Sequence, residues 1–244
     1  DELIAALQIS QARHAPPGAM TSSWAGALGQ PQFMPSNFLK YAADGDGDGH
    51  ADIWRSEADT LASIAQYLAQ HGWQNGRDWG FEVAVPEAVS CALEGPDQGR
   101  KLAEWQAMGL TRISGKAFPA NENGKDLFLL MPAGRYGPAF LVTPNFYVLK
   151  AYNMSDLYAL FIGHVSDRIA YGSGDFITAW GALGSLTRGD IARMQRALEA
   201  QGHDVGGADG LPGYKTRRSI GRWQDAQSQP STCFPTSPLK ATLR

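Results

Sequence analysis

The sequence predicts a mainly α fold of the α+β class, and three observations carry that prediction. Apolar residues recur at helical spacing in Leu3-Ile4-Leu7, in Leu61-Ile64-Ala65-Leu68, in Leu157-Leu160-Phe161-Val165 and in Ile191-Met194-Leu198. Between the second and third of these sets, Phe81-Glu82-Val83-Ala84-Val85 reads as a strand. The glycines at 172, 174, 181 and 184 then punctuate the chain before the last helical pattern.

Residues 1–75 read as mainly helical. Asp1 to Leu7 looks like a helix already under way, so the chain is expected to start inside a domain. Ser36 is placed to cap a short helix through Tyr41, and Asp59 a longer one that ends near Gly72. From 80 to 145 the pattern turns to strands. Leu127–Met131 and Ala139–Val142 flank Pro132-Ala133-Gly134 and predict a hairpin with a long loop. Past the glycines, Thr187 caps the helix that carries Met194 and Leu198.

Composition narrows the function classes. A net charge of −3 and a pI near 6.0 argue against a nucleic-acid partner, which needs a basic face. No apolar run is long enough for a transmembrane segment. Two cysteines, Cys91 and Cys233, give no disulfide framework and leave the redox compartment open. Seven tryptophans and 28 glycines suit a loop-lined groove that grips a sugar polymer, although for any single tryptophan core packing is the better reading.

Asp44-Gly45-Asp46-Gly47-Asp48-Gly49-His50-Ala51-Asp52 is the sharpest chemical motif. Carboxylates at alternate positions wrap a hard cation, and glycine at the sixth position permits the turn, as in the front of an EF-hand loop. His50 stands where the backbone carbonyl is the ligand. Arg55 stands where an EF-hand has its bidentate glutamate, so Asp59 is the expected closing ligand of a longer loop, 44–59. A single site of this kind predicts structural calcium rather than a calcium sensor.

The segment Ser22-Ser23-Trp24-Ala25-Gly26-Ala27-Leu28-Gly29-Gln30-Pro31-Gln32-Phe33-Met34-Pro35-Ser36 is rich in small residues, with Trp24, Gln32 and Phe33 as its large groups. Together with the Asp/Gly loop, Trp54, His71-Gly72-Trp73, Leu141-Val142-Thr143-Pro144-Asn145-Phe146-Tyr147, Tyr152-Asn153 and Asp167-Arg168, it resembles the membrane-bound lytic murein transglycosylase B family over residues 1–175. The resemblance implies a lysozyme-like transglycosylase body with an inserted β-rich segment. It also implies cleavage of the MurNAc-β-1,4-GlcNAc bond of peptidoglycan, leaving 1,6-anhydromuramoyl ends, for cell-wall turnover. On that basis Ser23, Trp24, Gln32, Phe33, Tyr67, Asn145 and Tyr147 are expected to bind or shape the glycan site. The implied calcium ligands are Asp44, Asp46, Asp48, His50 (by its backbone) and Asp59.

One departure from the family pattern stands out. Its catalytic glutamate lies in a Glu-Ser/Thr-x-x-Gly motif, and no such motif occurs here. The general acid is therefore expected upstream of Asp1, and Glu2, Glu57, Glu82, Glu87 and Glu94 have no sequence context that raises a carboxyl pKa. The alternative expectation is a non-catalytic, calcium-stabilised peptidoglycan-binding protein.

Residues 186–244 are similar to the peptidoglycan-binding type 1 module, a small three-helix domain. The likeness rests on Arg193-Met194-Gln195-Arg196-Ala197-Leu198, the turn Asp209-Gly210-Leu211-Pro212-Gly213, and Ile220, Trp223 and Gln224. Gly221 stands where a better helix former is usual, at a cost of ~1 kcal/mol. The expected organisation is a partial transglycosylase domain over 1–180 and a peptidoglycan-binding domain over 186–244. The expected partner is the glycan strand, in the periplasm, with outer-membrane anchorage open for the intact protein.

Overall fold

The computed structural model describes residues 2–12 and 14–243, and Asp1 of the expected first helix lies outside them. Two compact units divide the chain, Asp1–Gln74 and Asn75–Arg244. The division falls where the helical pattern of 1–75 gives way to strands, and residues 180–186 lie inside the second unit.

The first unit carries α1 (Glu2–Gln11), α2 (Pro35–Tyr41) and α3 (Glu57–Gln70). The helices stand where the periodicity places them, but their rotations differ. In α1, Ala5 and Ile9 are buried while Leu3, Ile4 and Leu7 are exposed. Glu2 accepts hydrogen bonds from the Ser36 backbone N–H (2.8 Å) and hydroxyl (2.7 Å), which holds α1 against the first turn of α2. Ser36 is thus inside α2 and not its cap. The N-cap position belongs to Met34, which makes no side-chain cap bond. A carboxylate from another helix serves the open N–H groups there.

In α3 the buried face is Asp59, Thr60, Ser63 and Tyr67, and Leu61 is exposed. Hydrophobicity alone misplaces this face because its polar residues are all bonded inward. Thr60 donates to the Ile53 carbonyl, and the Ser63 hydroxyl accepts from the Ala43 N–H. The N-cap is Ser56, three residues before Asp59, whose N–H it accepts. Asp59 is freed for a different task.

The second unit is built on an antiparallel sheet of β1 (Gly80–Ala84), β2 (Arg100–Lys101), β3 (Thr111–Arg112), β4 (Asp126–Leu130) and β5 (Ala139–Val142), in the order β2-β4-β5-β1-β3. The expected hairpin is β4–β5, with Phe128 opposite Val142 and Leu130 opposite Phe140. Helix α4 (Leu102–Ala107) supplies Leu102 and Trp105 to a core with Phe81, Val83, Leu127, Leu129 and Leu141. Two further helices follow, α5 (Pro144–Tyr152), capped by Thr143, and α6 (Asp156–Tyr171), capped by Ser155. The buried side of α6 is Ala159, Leu160 and Gly163, while Leu157 and Phe161 are exposed. Gly163 is small by necessity, since a Cβ there would sit 2.7 Å from the Trp79 ring.

The glycine-rich stretch after α6 is a strap and not a free linker. Glu82 accepts the N–H groups of Ile177 (2.9 Å) and Thr178 (2.7 Å), and the Phe176 ring meets Phe140 edge-on. Beyond it lie α7 (Arg188–Ala200), α8 (Tyr214–Ala226) and α9 (Ser237–Thr242). They enclose Met194, Leu198, Val205, Ile220, Trp223, Leu239 and Leu243. Thr187 and Asp190 form the capping box of α7.

These three helices are nonetheless fastened to the sheet. Cys91 and Cys233 form a disulfide across 142 residues, with Cα atoms 6.1 Å apart. Arg217 and Arg218 of α8 reach Glu94 and Asp97. Gly221 also has a positive reason to be glycine, because a Cβ there would lie 2.3 Å from the Cys233 sulfur.

Candidate functional site

The expected glycan-binding residues of the first unit cluster on one loop. Ser23 and Ala27 close a tight turn: the Ser23 N–H donates to the Ala27 carbonyl, and the Ala27 N–H donates back to the Ser23 hydroxyl oxygen. Gly26, with φ of 89°, supplies the left-handed residue that the turn needs. The small residues hold the backbone close and leave Trp24 fully exposed. A flat indole face in water at a loop tip is costly unless something covers it.

Leu28 and Phe33 exchange backbone hydrogen bonds, so residues 29–32 make a second tight loop. Gln32 lies in the left-handed region at φ 54°, which costs a non-glycine residue ~1 kcal/mol or more. Its amide donates to the Gly29 carbonyl at 2.8 Å, and the side chain is exposed. Gly29 itself is pressed against the Ile53 carbonyl, 2.6 Å from where a Cβ would stand. The loop is thus strained and polar at its tip, with Trp24 and Gln32 exposed and Ser23 half-buried.

Phe33 and Tyr67 take the buried side of the same loop. Phe33 is in the core, 5.7 Å from the Tyr67 ring, and Tyr67 stacks on His71 at 3.9 Å. Tyr41 closes the group edge-on to Tyr67. Burial raises the Tyr67 phenol above its ordinary pKa, so it stays neutral at physiological pH. These rings support the loop from beneath.

Asn145 and Tyr147 belong to the second unit. Asn145 is fully buried, and its amide donates to the Arg77 carbonyl at 2.7 Å. Arg77 in turn is bidentate on buried Glu122. Tyr147 is half-buried between Phe128 and Phe146, and burial raises its phenol, reinforced by the nearby Glu94 and Asp156 carboxylates.

The acidic loop of the first unit gathers Asp44, Asp46 and Asp59, each with a carboxylate oxygen within 4.8 Å of the others. Asp59 is buried and accepts the N–H groups of Gly45 (2.8 Å) and Asp52 (2.7 Å), which draws both ends of the loop onto the start of α3. Gly45 must be glycine because a Cβ would strike the Ala58 carbonyl at 2.3 Å. Asp48 is not in this group, and its carboxylate accepts the His50 N–H. Arg55, in the place of the EF-hand glutamate, turns to Asp52 at 2.7 Å. Ser56 donates to Asp46, a contact that no EF-hand pattern signals. Three hard carboxylate oxygens on a glycine-permitted turn fit a calcium ion.

The glutamates of the described residues are otherwise engaged. Glu2 is held by Ser36, Glu82 by Ile177 and Thr178, Glu94 by Arg217, Glu104 by the Lys101 N–H and Glu122 by Arg77. Glu57, Glu87 and Glu199 are exposed. None stands unpaired in an apolar pocket, the setting that makes a carboxyl a general acid at neutral pH. The Cys91–Cys233 bond and the Arg217–Glu94 contact are the features least legible in sequence, because each joins residues more than 120 positions apart.

Residues 1–167 match the family described as the transglycosylase SLT domain. Membrane-bound lytic murein transglycosylase B of Escherichia coli is 32% identical over 155 residues, 62% of this chain and 40% of that protein. The crystal structure of SltB3 from Pseudomonas aeruginosa in complex with NAG-anhNAM-pentapeptide superposes with a TM-score of 0.91 at 42% identity, over 100% of this chain and 65% of that one. The Escherichia coli lytic transglycosylase Slt35 in complex with calcium gives a TM-score of 0.57 at 27% identity, over 70% of this chain and 53% of that one.

Proposed function

The chain belongs to the transglycosylase SLT domain family, and on that premise we propose that it serves lytic cleavage of peptidoglycan. The reaction is breakage of the MurNAc-β-1,4-GlcNAc bond with formation of 1,6-anhydromuramoyl ends. The observation that carries the reading is the whole-chain likeness to a structure holding an anhydromuramoyl pentapeptide. Ser23, Trp24 and Gln32 touch the sugar in this reading: the indole covers an apolar sugar face while hydroxyl and amide pair with sugar hydroxyls. Phe33 and Tyr67 hold that loop in shape. Asn145 and Tyr147 act from below the surface of the second unit, as braces for it.

Asp44, Asp46 and Asp59 would hold a calcium ion with the His50 carbonyl, and Asp48 would join them by turning from the His50 N–H. The ion supplies positive charge that ties the loop to α3 and takes no part in bond cleavage. The Escherichia coli enzyme solved with calcium supports this assignment. Residues 186–244 would attach the chain to the wall. A disulfide suits an oxidising compartment, which supports a periplasmic location. No helix among the described residues is long and apolar enough to cross a membrane. Because every buried glutamate of the described residues is already paired, those residues are read as binding and scaffolding parts, with no glutamate placed to move the proton. That pairing is also what favours the second reading, a non-catalytic wall binder.

The test is a titration of the chain with a NAG-NAM-pentapeptide, followed by tryptophan fluorescence. Saturable quenching that Trp24→Ala removes is the expected result. An unchanged signal together with no binding by calorimetry would sink the glycan assignment.

A further inference from the structure

A groove of about 880 Å³ lies between α7 and α9, a volume in the range of small-ligand sites. Its floor is apolar, made by Met194, Ala197 and Leu243, and its rim carries Arg193, Arg196 and Lys240 against one carboxylate, Asp190. Asp190 is already committed. It accepts from Thr187, from Arg193 and from Lys240 at 2.8 Å. Arg196 is exposed and has no anionic partner among the described residues. The surplus is part of a wider bias: residues 186–244 carry nine Lys/Arg and five Asp/Glu, in a chain whose net charge is −3.

We propose that this groove binds the carboxylate-bearing peptide of peptidoglycan and not its glycan. No aromatic side chain lines the groove among the described residues, and an uncharged sugar polymer needs such faces. An anionic peptide meets the Arg196 guanidinium, which has no carboxylate of its own among the described residues and can fork onto one. Beside it stand Arg193 and Lys240 on Asp190, with an apolar floor for the peptide's short side chains. The pentapeptide of the SltB3 complex is a ligand of this chemistry. The proposal rests on the peptidoglycan reading above and adds which part of the polymer the C-terminal helices grip. It divides the labour: Trp24 and its loop take sugar, and α7 with α9 takes peptide.

The experiment uses the full chain with three probes: the sugar-free pentapeptide released from sacculi, the same peptide with its carboxylates amidated, and the peptide-free disaccharide. Binding is read from amide NMR shifts of residues 188–243 and from calorimetry, alongside co-sedimentation with intact sacculi. The peptide should shift groove amides, and amidation or Arg196→Glu should weaken it by about tenfold, the size of one charge-assisted hydrogen bond. Ala241→Trp, on an exposed groove residue outside the core, should block the peptide while leaving the fold intact by circular dichroism. Wild-type affinity in both variants, or groove shifts caused by the disaccharide, would overturn the proposal. If sacculi are retained while the free peptide does not bind, the groove assignment fails alone. If wild type retains neither, the peptidoglycan reading fails with it.

Discussion

Arg217 forks onto Glu94 across 123 residues of sequence, and both side chains are almost wholly buried. Asp156 accepts from the same guanidinium at 2.9 Å, and Lys150 completes a chain of alternating charge. Burial pushes the Glu94 carboxyl up, while Arg217 and the Met131 N–H pull the other way. Removing one partner leaves an uncompensated buried charge, so Arg217→Met should destabilise by ~3–5 kcal/mol. Glu94→Leu combined with Arg217→Met should recover much of that loss, as shown by urea unfolding midpoints of the two variants. A double variant weaker than either single one would contradict this account.

The Cys91–Cys233 bond is expected to contribute ~2–5 kcal/mol by restricting the unfolded chain. Replacing both cysteines by serine should lower the melting temperature. Gly221→Ala should also be destabilising, because its methyl would lie 2.3 Å from the Cys233 sulfur. The cost should shrink when Cys233 is alanine, a coupling that a double-mutant cycle measures directly.

Calcium should stabilise the fold through linkage, by ~2.7 kcal/mol when its concentration is a hundred times the dissociation constant, and so raise the melting temperature. Millimolar calcium against a chelator gives the comparison. Asp46→Ala should abolish the response, since Asp46 has no buried role of its own. Asp59→Ala is the poorer probe. It also releases the Gly45 and Asp52 N–H groups and would lower stability with or without the ion. Equal midpoints with calcium and chelator would rule the site out.

Acid should weaken the tie between α8 and the rest of its unit. Burial pushes the Asp156 carboxyl up, but Arg217 and Lys150 outweigh it and hold the group below its usual 3.8. A carboxyl with a depressed folded pKa contributes stability above the unfolded value and loses it as pH falls through the folded value. Unfolding midpoints should therefore fall below about pH 4. Lys150→Gln removes one of the two cations and should make that acid limb shallower. An identical limb in the variant would place the acid sensitivity elsewhere.

How far the sequence reaches can be judged from α3. Its existence and approximate ends follow from apolar spacing, yet its rotation is set by Thr60, Ser63 and Asp59, whose inward hydrogen bonds no hydropathy pattern registers. The same holds for Glu2, which fixes α1 by bonding Ser36 on another helix. The acidic loop is legible because alternation is local, while Arg55 and Ser56 show where local reasoning stops. Thr187 is read correctly as a cap for the same reason, since the N–H it accepts lies three residues on; the return bond from Asp190 is added by the structure. Only the three-dimensional fold makes Gly221 intelligible, as the glycine that lets a disulfide pass.

The described residues should not by themselves release 1,6-anhydromuropeptides from sacculi. Lytic cleavage needs a carboxylic acid to protonate the glycosidic oxygen and then, as carboxylate, to take the proton of the muramic 6-hydroxyl. Each glutamate fails on its surroundings. Glu2 is held below its ordinary pKa by the Ser36 N–H and hydroxyl, so it is ionised when an acid is required. Glu82 is spent on two strap N–H groups, and Glu94 and Glu122 are clamped by arginines. Glu57, Glu87 and Glu199 lie in water, which leaves them without the apolar setting of a neutral acid. Loss of acid–base assistance alone typically costs ~10²–10⁴-fold. The measurement is mass spectrometry of sacculi incubated with the chain against a no-protein control. Anhydromuropeptides above that control would place an acid within the described residues. Asp78→Asn and Asp167→Asn, at carboxyls that burial pushes up, and Glu57→Gln, Glu87→Gln and Glu199→Gln, which break no buried pair, would then be compared in turn.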